Sequence, residues 1–528
     1  MAKVESRSES RPFRIDTLKS FNPATGEMLG EVPVSTPDEV REAVTAARKA
    51  APAWTALGAE ARGKYLGQVR FKINENLDRI VETVSLECGK PRAEALAHDI
   101  VPTLLTLLYY EKIAPGALRP ERVGRFLGLL TGMSSRIEWR PFGVVGCISA
   151  WNYPVLLSFL GLVPALAAGN AVVLKPSEIT PQVGELIAEL LEPLPAGVAT
   201  VVQGAGEVGA ALVDAPCDKI SFIGSPATGR RIAEAAARHL TPVVMELGGK
   251  DAAIVCQDAD LDLATSGILW GSFLNAGQTC CAVERIYVVD EVAEEFTKTF
   301  VEKLSKVKHG GPNSEIGSLT VKRQLDTVER QVNDAIDKGA DVLWGGPPAA
   351  NQGGSLLYPP TVLKGITPSM VLANEEIFGP VVPIIRVVDE EEAIRRTNEE
   401  GFNLTSSVWS RSRAKAEALA SKIRAGTVSI NEHADTLASP WTPWGGVGES
   451  GYGRLNGIGG LREFTVPVHV ARNLTPRLKR LWWYPYDDAT VEALRGIAAL
   501  VSSRSFAGKL RGLKQLLRNI PKALKAKI

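Results

Sequence analysis

From Pro37 to Arg92 the apolar residues recur at helical spacing, first in DEVREAVTAARKAAPAW and then in ARGKYLGQVRFKINENLDRIVETVSLECGK, with Asp38 near a helix start. From Gly143 the pattern changes. Short apolar runs (VVGCISA, AVVLKP, VATVVQG, KISFIGS) alternate with helical stretches, the signature of βαβ units and a parallel sheet. A second alternating block runs from Ala252 to Thr427 through AAIVCQD, VERIYVVD, VVPIIRVV and LTSSVWS. Two α/β blocks in tandem are therefore predicted, with no internal repeat of solenoid length. Residues 1–18 are polar, lack a periodic apolar face and read as a flexible tail. The uncharged run Tyr153–Gly169 contains Pro154, Gly161 and Pro164 and is shorter than the roughly 20 residues a membrane span needs, so a buried helix is expected. After the strand-like FTVPVHVAR come TPRLKRLWWYPYDD and a helical, basic C-terminus.

The chain's 528 residues exceed what one hydrophobic core serves, so two to four domains are expected. Sixty Lys and Arg face 59 Asp and Glu, a net charge of +1, and no overall positive field exists to draw nucleic acid. Six Cys, two of them adjacent, make no disulfide framework, so reduced thiols and a cytoplasmic setting are expected. The opening MAKVESRSESRPFR shows no apolar segment of a secretory signal.

Several motifs bear on chemistry. Gly204-Ala-Gly206-Glu-Val-Gly209 fits the short dinucleotide-loop pattern, but no ribose-binding acid follows at the usual distance, so it reads as a tight strand-to-helix turn. A second loop, Phe222-Ile-Gly224-Ser225-Pro-Ala-Thr-Gly229, joins a strand to a helix; it either brings amides close to a phosphate or is a plain turn. Lys175 and Glu178 end the strand AVVLK, and either grip ribose hydroxyls or form a solvated pair. The segment Phe273-Leu-Asn275-Ala-Gly277-Gln278-Thr279-Cys280-Cys281 sets a thiol among small and amide-bearing residues. Glu246, in Met245-Glu246-Leu-Gly-Gly-Lys250, supplies a carboxylate at a strand end. A buried cysteine and a loop glutamate are commonplace unless they face one another.

In chain order, WNYP, KPSE, FIGSPATG, MELGGK, FLNAGQTCCA and NEEIFGPV resemble the NAD(P)-dependent aldehyde dehydrogenase superfamily, over roughly residues 20–473. The resemblance implies that Cys280, not Cys281, attacks the aldehyde carbon. It implies that the Asn152 side chain and the Cys280 amide hold the oxyanion, and that Glu246 activates water to release the acid. It implies that Lys175 and Glu178 bind the adenine ribose, and that Gly224, Ser225 and Gly229 form the pyrophosphate loop. Leu247 is a further cofactor contact, Glu376 holds the nicotinamide ribose and Phe378 packs beside the ring. No metal is implied. Glu178 would repel a 2′-phosphate, so NAD is expected over NADP. A coenzyme A-acylating enzyme is the alternative, though many of those lack the glutamate at position 246. The rival outside enzymes is an inactive, membrane-docked binding protein that keeps the fold, against which stands the presence of every expected catalytic side chain.

In the family, residues near Tyr153, Leu160, Cys281 and the loop Glu432–Gly448 line the substrate tunnel. Neither segment here carries an Arg to pair with a distal carboxylate, so an apolar, long-chain or aromatic aldehyde is expected. Trp441 and Trp444 either face that substrate or pack between subunits, and His433 reads as a loop histidine without a catalytic role. The implied fold is α/β: a Rossmann-like NAD-binding domain (19–122 and 141–247), a catalytic domain (248–464) and a small β-arm (123–140 and 465–473) that builds homodimers or homotetramers. Residues 474–528 form a basic extension reminiscent of fatty-aldehyde dehydrogenases. Residues 493–528 hold nine Lys/Arg and no Asp or Glu, with Phe506, Leu510, Leu513, Leu516, Leu517, Ile520 and Leu524 at helical spacing. This reads as one amphipathic helix, partly interrupted at Pro521, that lies on an anionic membrane or else docks on an acidic neighbouring subunit.

Overall fold

A computed structural model describes residues 17–124, 132–310, 314–348, 355–399, 401–433, 435–476, 480–484 and 486–525. Most of the expected tail, residues 1–16, lies outside them. Thr17 and Leu18 already belong to a strand, Thr17–Phe21, paired with Met28–Pro33. The chain divides into two compact units, Met1–Arg119 with Trp139–Val466, and Pro120–Glu138 with Pro467–Ile528.

The first unit holds two large sheets. One orders its strands Gly451–Tyr452, Val243–Glu246, Lys219–Ile223, Val144–Ile148, Ala171–Lys175 and Ala199–Val201. All are parallel except Gly451–Tyr452. Their continuous apolar runs follow from burial on both faces: every residue of Val144–Ile148, Ala171–Lys175 and Lys219–Ile223 is buried. The chain steps outward from Val144–Ile148 to Ala171–Lys175, then returns to the other side at Lys219–Ile223. The strand order therefore reverses between Val144–Ile148 and Lys219–Ile223, and a crevice opens beyond their carboxyl ends.

The uncharged run forms the helix Pro154–Ala168, buried along its whole length, with Pro at its start and Gly169 (φ +108°) ending it. No helix among the described residues is long and apolar enough to cross a membrane.

The second sheet runs Asp341–Trp344, Thr361–Lys364, Val381–Val387, Val283–Val289, Asp251–Val255, Thr405–Trp409 and Thr427–Ile430, with only its first strand antiparallel. Four residues, Leu247–Lys250, connect the end of Val243–Glu246 to the start of Asp251–Val255. Asp251 pairs with Val283, so the loop carrying Cys280 enters this sheet beside that connection. Parallel pairing thus brings Glu246 and Cys280 to the same place.

The second unit holds most of a three-stranded sheet, Thr465–Asn473, Met133–Pro141 and Glu121–Val123. Beyond it the C-terminal segment folds into two helices, Asp488–Ser502 and Phe506–Ala523, rather than the single helix expected. The break falls at Ser503–Ser505, where the Ser505 side chain caps the second helix by accepting from Gly508 N at 3.0 Å. Pro521 lies inside the last turn and does not end it.

Candidate active site

The crevice of the first sheet is a cavity lined from three adjacent strand ends: Trp151 and Asn152 after the first, Gly224 and Ser225 after the second, and Glu246, Leu247 and Gly248 at the third. Cys280, Glu376 and Phe378 complete it from the second sheet. Eight of the eleven expected site residues thus meet in one cavity. Lys175, Glu178 and Gly229 are not among its lining residues. Lys175 and Glu178 pair at 3.2 Å beyond their strand, and Gly229 is buried in the helix Pro226–Ala237, where a Cβ would come within 2.8 Å of Leu247.

The thiol loop is built on strained backbone. Asn275, Ala276 and Gly277 take positive φ in succession (53°, 54° and 71°), and a Cβ on Gly277 would stand 2.1 Å from the Gly379 carbonyl. Asn275 Nδ2 donates to the Asn152 and Gln278 carbonyls (2.9 and 3.2 Å), while buried Lys90 Nζ donates to the Asn152 carbonyl at 2.6 Å. Asn152 Nδ2 donates one hydrogen to the Gln278 carbonyl at 3.0 Å, which leaves its second N–H for a ligand. The paired glycines of LGGK let two backbones touch: a Cβ on Gly249 would lie 2.3 Å from the Cys280 carbonyl oxygen.

Electrostatics distinguish this carboxylate and thiol from their neighbours. Both Glu246 oxygens are buried without a hydrogen-bond partner. Burial, then the nearby Cys280, hold its pKa well above the usual carboxylate range, with Arg454 and the Trp444 indole acting in the opposite direction. The Cys281 thiol and burial likewise push Cys280 up. Cys280 is nonetheless the one cysteine of six that is not buried, so it is the one open to a reactant. Glu376, raised to about 8 chiefly by burial, accepts from Gly249 N at 3.1 Å. Beside it, the buried Glu284 carboxylate accepts from Ile377 N and Phe378 N (2.9 and 2.8 Å) and pairs with Lys250 at 3.3 Å. It thereby pins Phe378, whose φ of 49° is unusual for an aromatic residue.

Some expected tunnel residues sit elsewhere. Leu160 and Trp444 line the cavity, but Tyr153 and Cys281 do not. The Tyr153 hydroxyl is sealed against Thr279 Oγ1 at 2.7 Å. The Cys281 carbonyl takes the His433 ring at 2.8 Å, whose other nitrogen meets Ser407 Oγ at 3.0 Å. His433, in a loop as expected, is therefore a buried strut behind the thiol loop, neutral because burial lowers it to about 4. Trp441 is exposed and flanks a separate groove with Leu105, Leu108 and Tyr109. The sequence reading also missed Trp151 and three lining residues of the helix Lys322–Asp337: Arg323, Gln324 and Thr327. Gln324 Nε2 donates to the Ile377 carbonyl at 2.8 Å, a contact between segments far apart in sequence.

This α/β architecture, with a thiol and a carboxylate facing one cavity at a strand-order reversal, matches one known class. The aldehyde dehydrogenase family model matches residues 12–470. The 4,4′-diapolycopene aldehyde oxidase of Methylomonas sp. is 40% identical over 91% of this chain and 90% of its own. A Mycobacterium tuberculosis (strain H37Rv) protein provisionally named as an NADP+ succinate-semialdehyde dehydrogenase is 39% identical, over 85% of this chain and 87% of its own. Among solved structures, an aldehyde dehydrogenase of Mycobacterium tuberculosis complexed with NAD+ superposes with a TM-score of 0.82 at 33% identity, covering 87% of this chain and 95% of the other. The chain belongs to the aldehyde dehydrogenase family. It is an oxidoreductase that acts on aldehydes with a nicotinamide cofactor.

The described residues suit such a cofactor. The helix Pro226–Ala237 opens at the crevice, with Ser225 at its N-cap and Pro226 at its first position, so its amino end would suit an anionic pyrophosphate. A Cβ on Gly248 would stand 2.3 Å from a Glu376 oxygen, so the glycine keeps that carboxylate open to a sugar hydroxyl.

Proposed function

We propose that this enzyme oxidises an apolar, long-chain or aromatic aldehyde to its carboxylic acid, with NAD and through a thioester on Cys280. The Cys280 thiol gives its proton to solvent, and the thiolate sulfur bonds the aldehyde carbon. The second N–H of Asn152 and the Cys280 amide hold the resulting oxyanion, each donor worth about 10²–10³ in rate. A nicotinamide ring, when bound beside Phe378 and Glu376, supplies the hydride acceptor. Glu246 then takes a proton from water, which cleaves the thioester; coenzyme A is not needed for that step.

The observation that carries this reading is the pairing of a partner-less, buried Glu246 carboxylate with the one cysteine that is not buried, in the same cavity. The apolar substrate rests on Leu157, Leu160 and Trp444 in the lining, and agrees with a 40% identical relative whose name specifies 4,4′-diapolycopene aldehyde. Exposed Arg323 is the one cation among the lining residues; the neighbouring Gln324 ties its helix to the Ile377 carbonyl beside Phe378, which suits a role toward the cofactor's phosphates. NAD rests on Glu178, whose carboxylate opposes a 2′-phosphate. The sheet of Met133–Pro141 and Thr465–Asn473 is the proposed surface for a homodimer or homotetramer. A lipophilic aldehyde would be met at a membrane, and the basic C-terminal helices suit peripheral attachment there.

A series of aliphatic and aromatic aldehydes, with succinic semialdehyde as the charged comparison, tests substrate and cofactor together. Catalytic efficiency should climb with apolar chain length and with NAD over NADP. Preference for the semialdehyde would overturn the substrate, and equal efficiency with both cofactors would overturn the role of Glu178.

A further inference from the structure

The C-terminal unit carries a surface that aldehyde oxidation does not use. Its two helices, Asp488–Ser502 and Phe506–Ala523, close on one another through small residues. A Cβ on Gly496 would stand 2.7 Å from the Gly512 carbonyl, and one on Gly512 would stand 2.8 Å from the Ala499 Cβ. Only Leu481, Ala493 and Ala523 form its buried apolar centre, with Leu516 and Ile520 packed beside them. Because the seam is made of glycine and alanine, the large apolar side chains are left outside it. They form two stripes at helical spacing: Val491, Leu494, Ile497 and Val501 on one helix, and Phe506, Leu510, Leu513 and Leu517 on the other, all exposed. Exposed Trp482, Trp483, Tyr484 and Tyr486 lead into the first helix.

Charge adds a second, independent observation. Past Glu492 the chain has no acidic residue, and nine Lys/Arg follow. Without those nine cations the 60 basic residues fall to 51 against 59 acidic ones, so the rest of the chain is −8. Cationic, apolar and amphipathic aromatic side chains together are what a bilayer interface rewards: lysine and arginine at anionic headgroups, apolar stripes at the acyl boundary, and Trp and Tyr between. Docking on the acidic body of a neighbouring subunit would satisfy the cations alone and leave both apolar stripes in water.

We propose that this helical hairpin, with its aromatic lead-in, is an interfacial anchor that lies flat on an anionic lipid bilayer. It rests on the peripheral-membrane reading above and sharpens it by naming the element, the lipid charge and the inserting side chains. Neither helix is long and apolar enough to cross, so the anchor lies on the surface.

The test is flotation of the full-length protein with vesicles of phosphatidylcholine alone, or of equal parts phosphatidylcholine and phosphatidylglycerol. Two variants accompany it: L513E/L517E, and a charge variant with Lys509, Arg511, Lys514 and Arg518 each changed to Gln. The native protein should float with the anionic vesicles only, and each variant should lose about tenfold or more of that partition. Activity on a short, water-soluble aldehyde and the mass by light scattering should stay unchanged in both. That activity is measured without lipid, so a failed anchor and a failed oxidation reading give different results. No flotation, or equal flotation of native protein and variants, would overturn the proposal. So would a variant that changes the oligomer, since the stripes would then be a subunit interface.

Discussion

Glu246 and Cys280 share a feature that decides the pH dependence. Burial and the nearby Cys280 raise Glu246, and the Cys281 thiol and burial raise Cys280, so at low pH the carboxyl cannot take a proton from water and the thiol keeps its own. The sign follows: kcat/KM for a short aldehyde should rise with pH through the neutral range into the alkaline, and initial rates across that range check it. Glu246→Gln should lower turnover by about 10²–10⁴. A native enzyme whose kcat/KM falls with pH would contradict the roles given to this pair. Both residues were readable because each sits in a motif of fixed spacing. His433 was not: its character comes from burial between Ser407 and the Cys281 carbonyl, which no local pattern near residue 433 announces.

Elements explain why the site holds its shape. The strand Val283–Val289 carries Glu284 directly after the thiol loop, and its buried carboxylate grips the amides of Ile377 and Phe378 while pairing with Lys250. One side chain thus ties the thiol strand to the loop that holds Glu376 and Phe378. Glu284→Gln removes the charge opposite Lys250, and a broken buried pair costs on the order of 3–5 kcal/mol. Thermal unfolding should therefore show a marked loss of stability, and KM for NAD should rise more than kcat falls. An unchanged melting temperature with unchanged KM would show that this pair anchors nothing. The alternating strand runs made both sheets legible, because parallel strands buried on two faces are apolar throughout. Arg323, Gln324 and Thr327 were not legible, since their helix reaches the cavity only through packing far from any motif. The C-terminal break was also missed: the leucine spacing announced a helix, but the glycines and alanines of a seam announce pairing only once a second helix is seen.

At the scale of the whole molecule, two sheets joined by four residues make the chemistry, and a separate compact unit carries the strongest charge contrast in the chain. A net charge of +1 conceals that division, and only the position of the cations along the sequence reveals it. The catalytic account makes one demand of the assembled enzyme. The first sheet must deliver Glu246 and Asn152, and the second Cys280, to one reacting carbon. The direct measurement is mass spectrometry of the acid-quenched Glu246→Gln enzyme after mixing with NAD and an apolar aldehyde. The expected result is one equivalent of NADH formed in a burst, with the acyl mass on the peptide carrying Cys280. An unmodified Cys280 after that burst, or an acyl group found on another residue, would contradict the account.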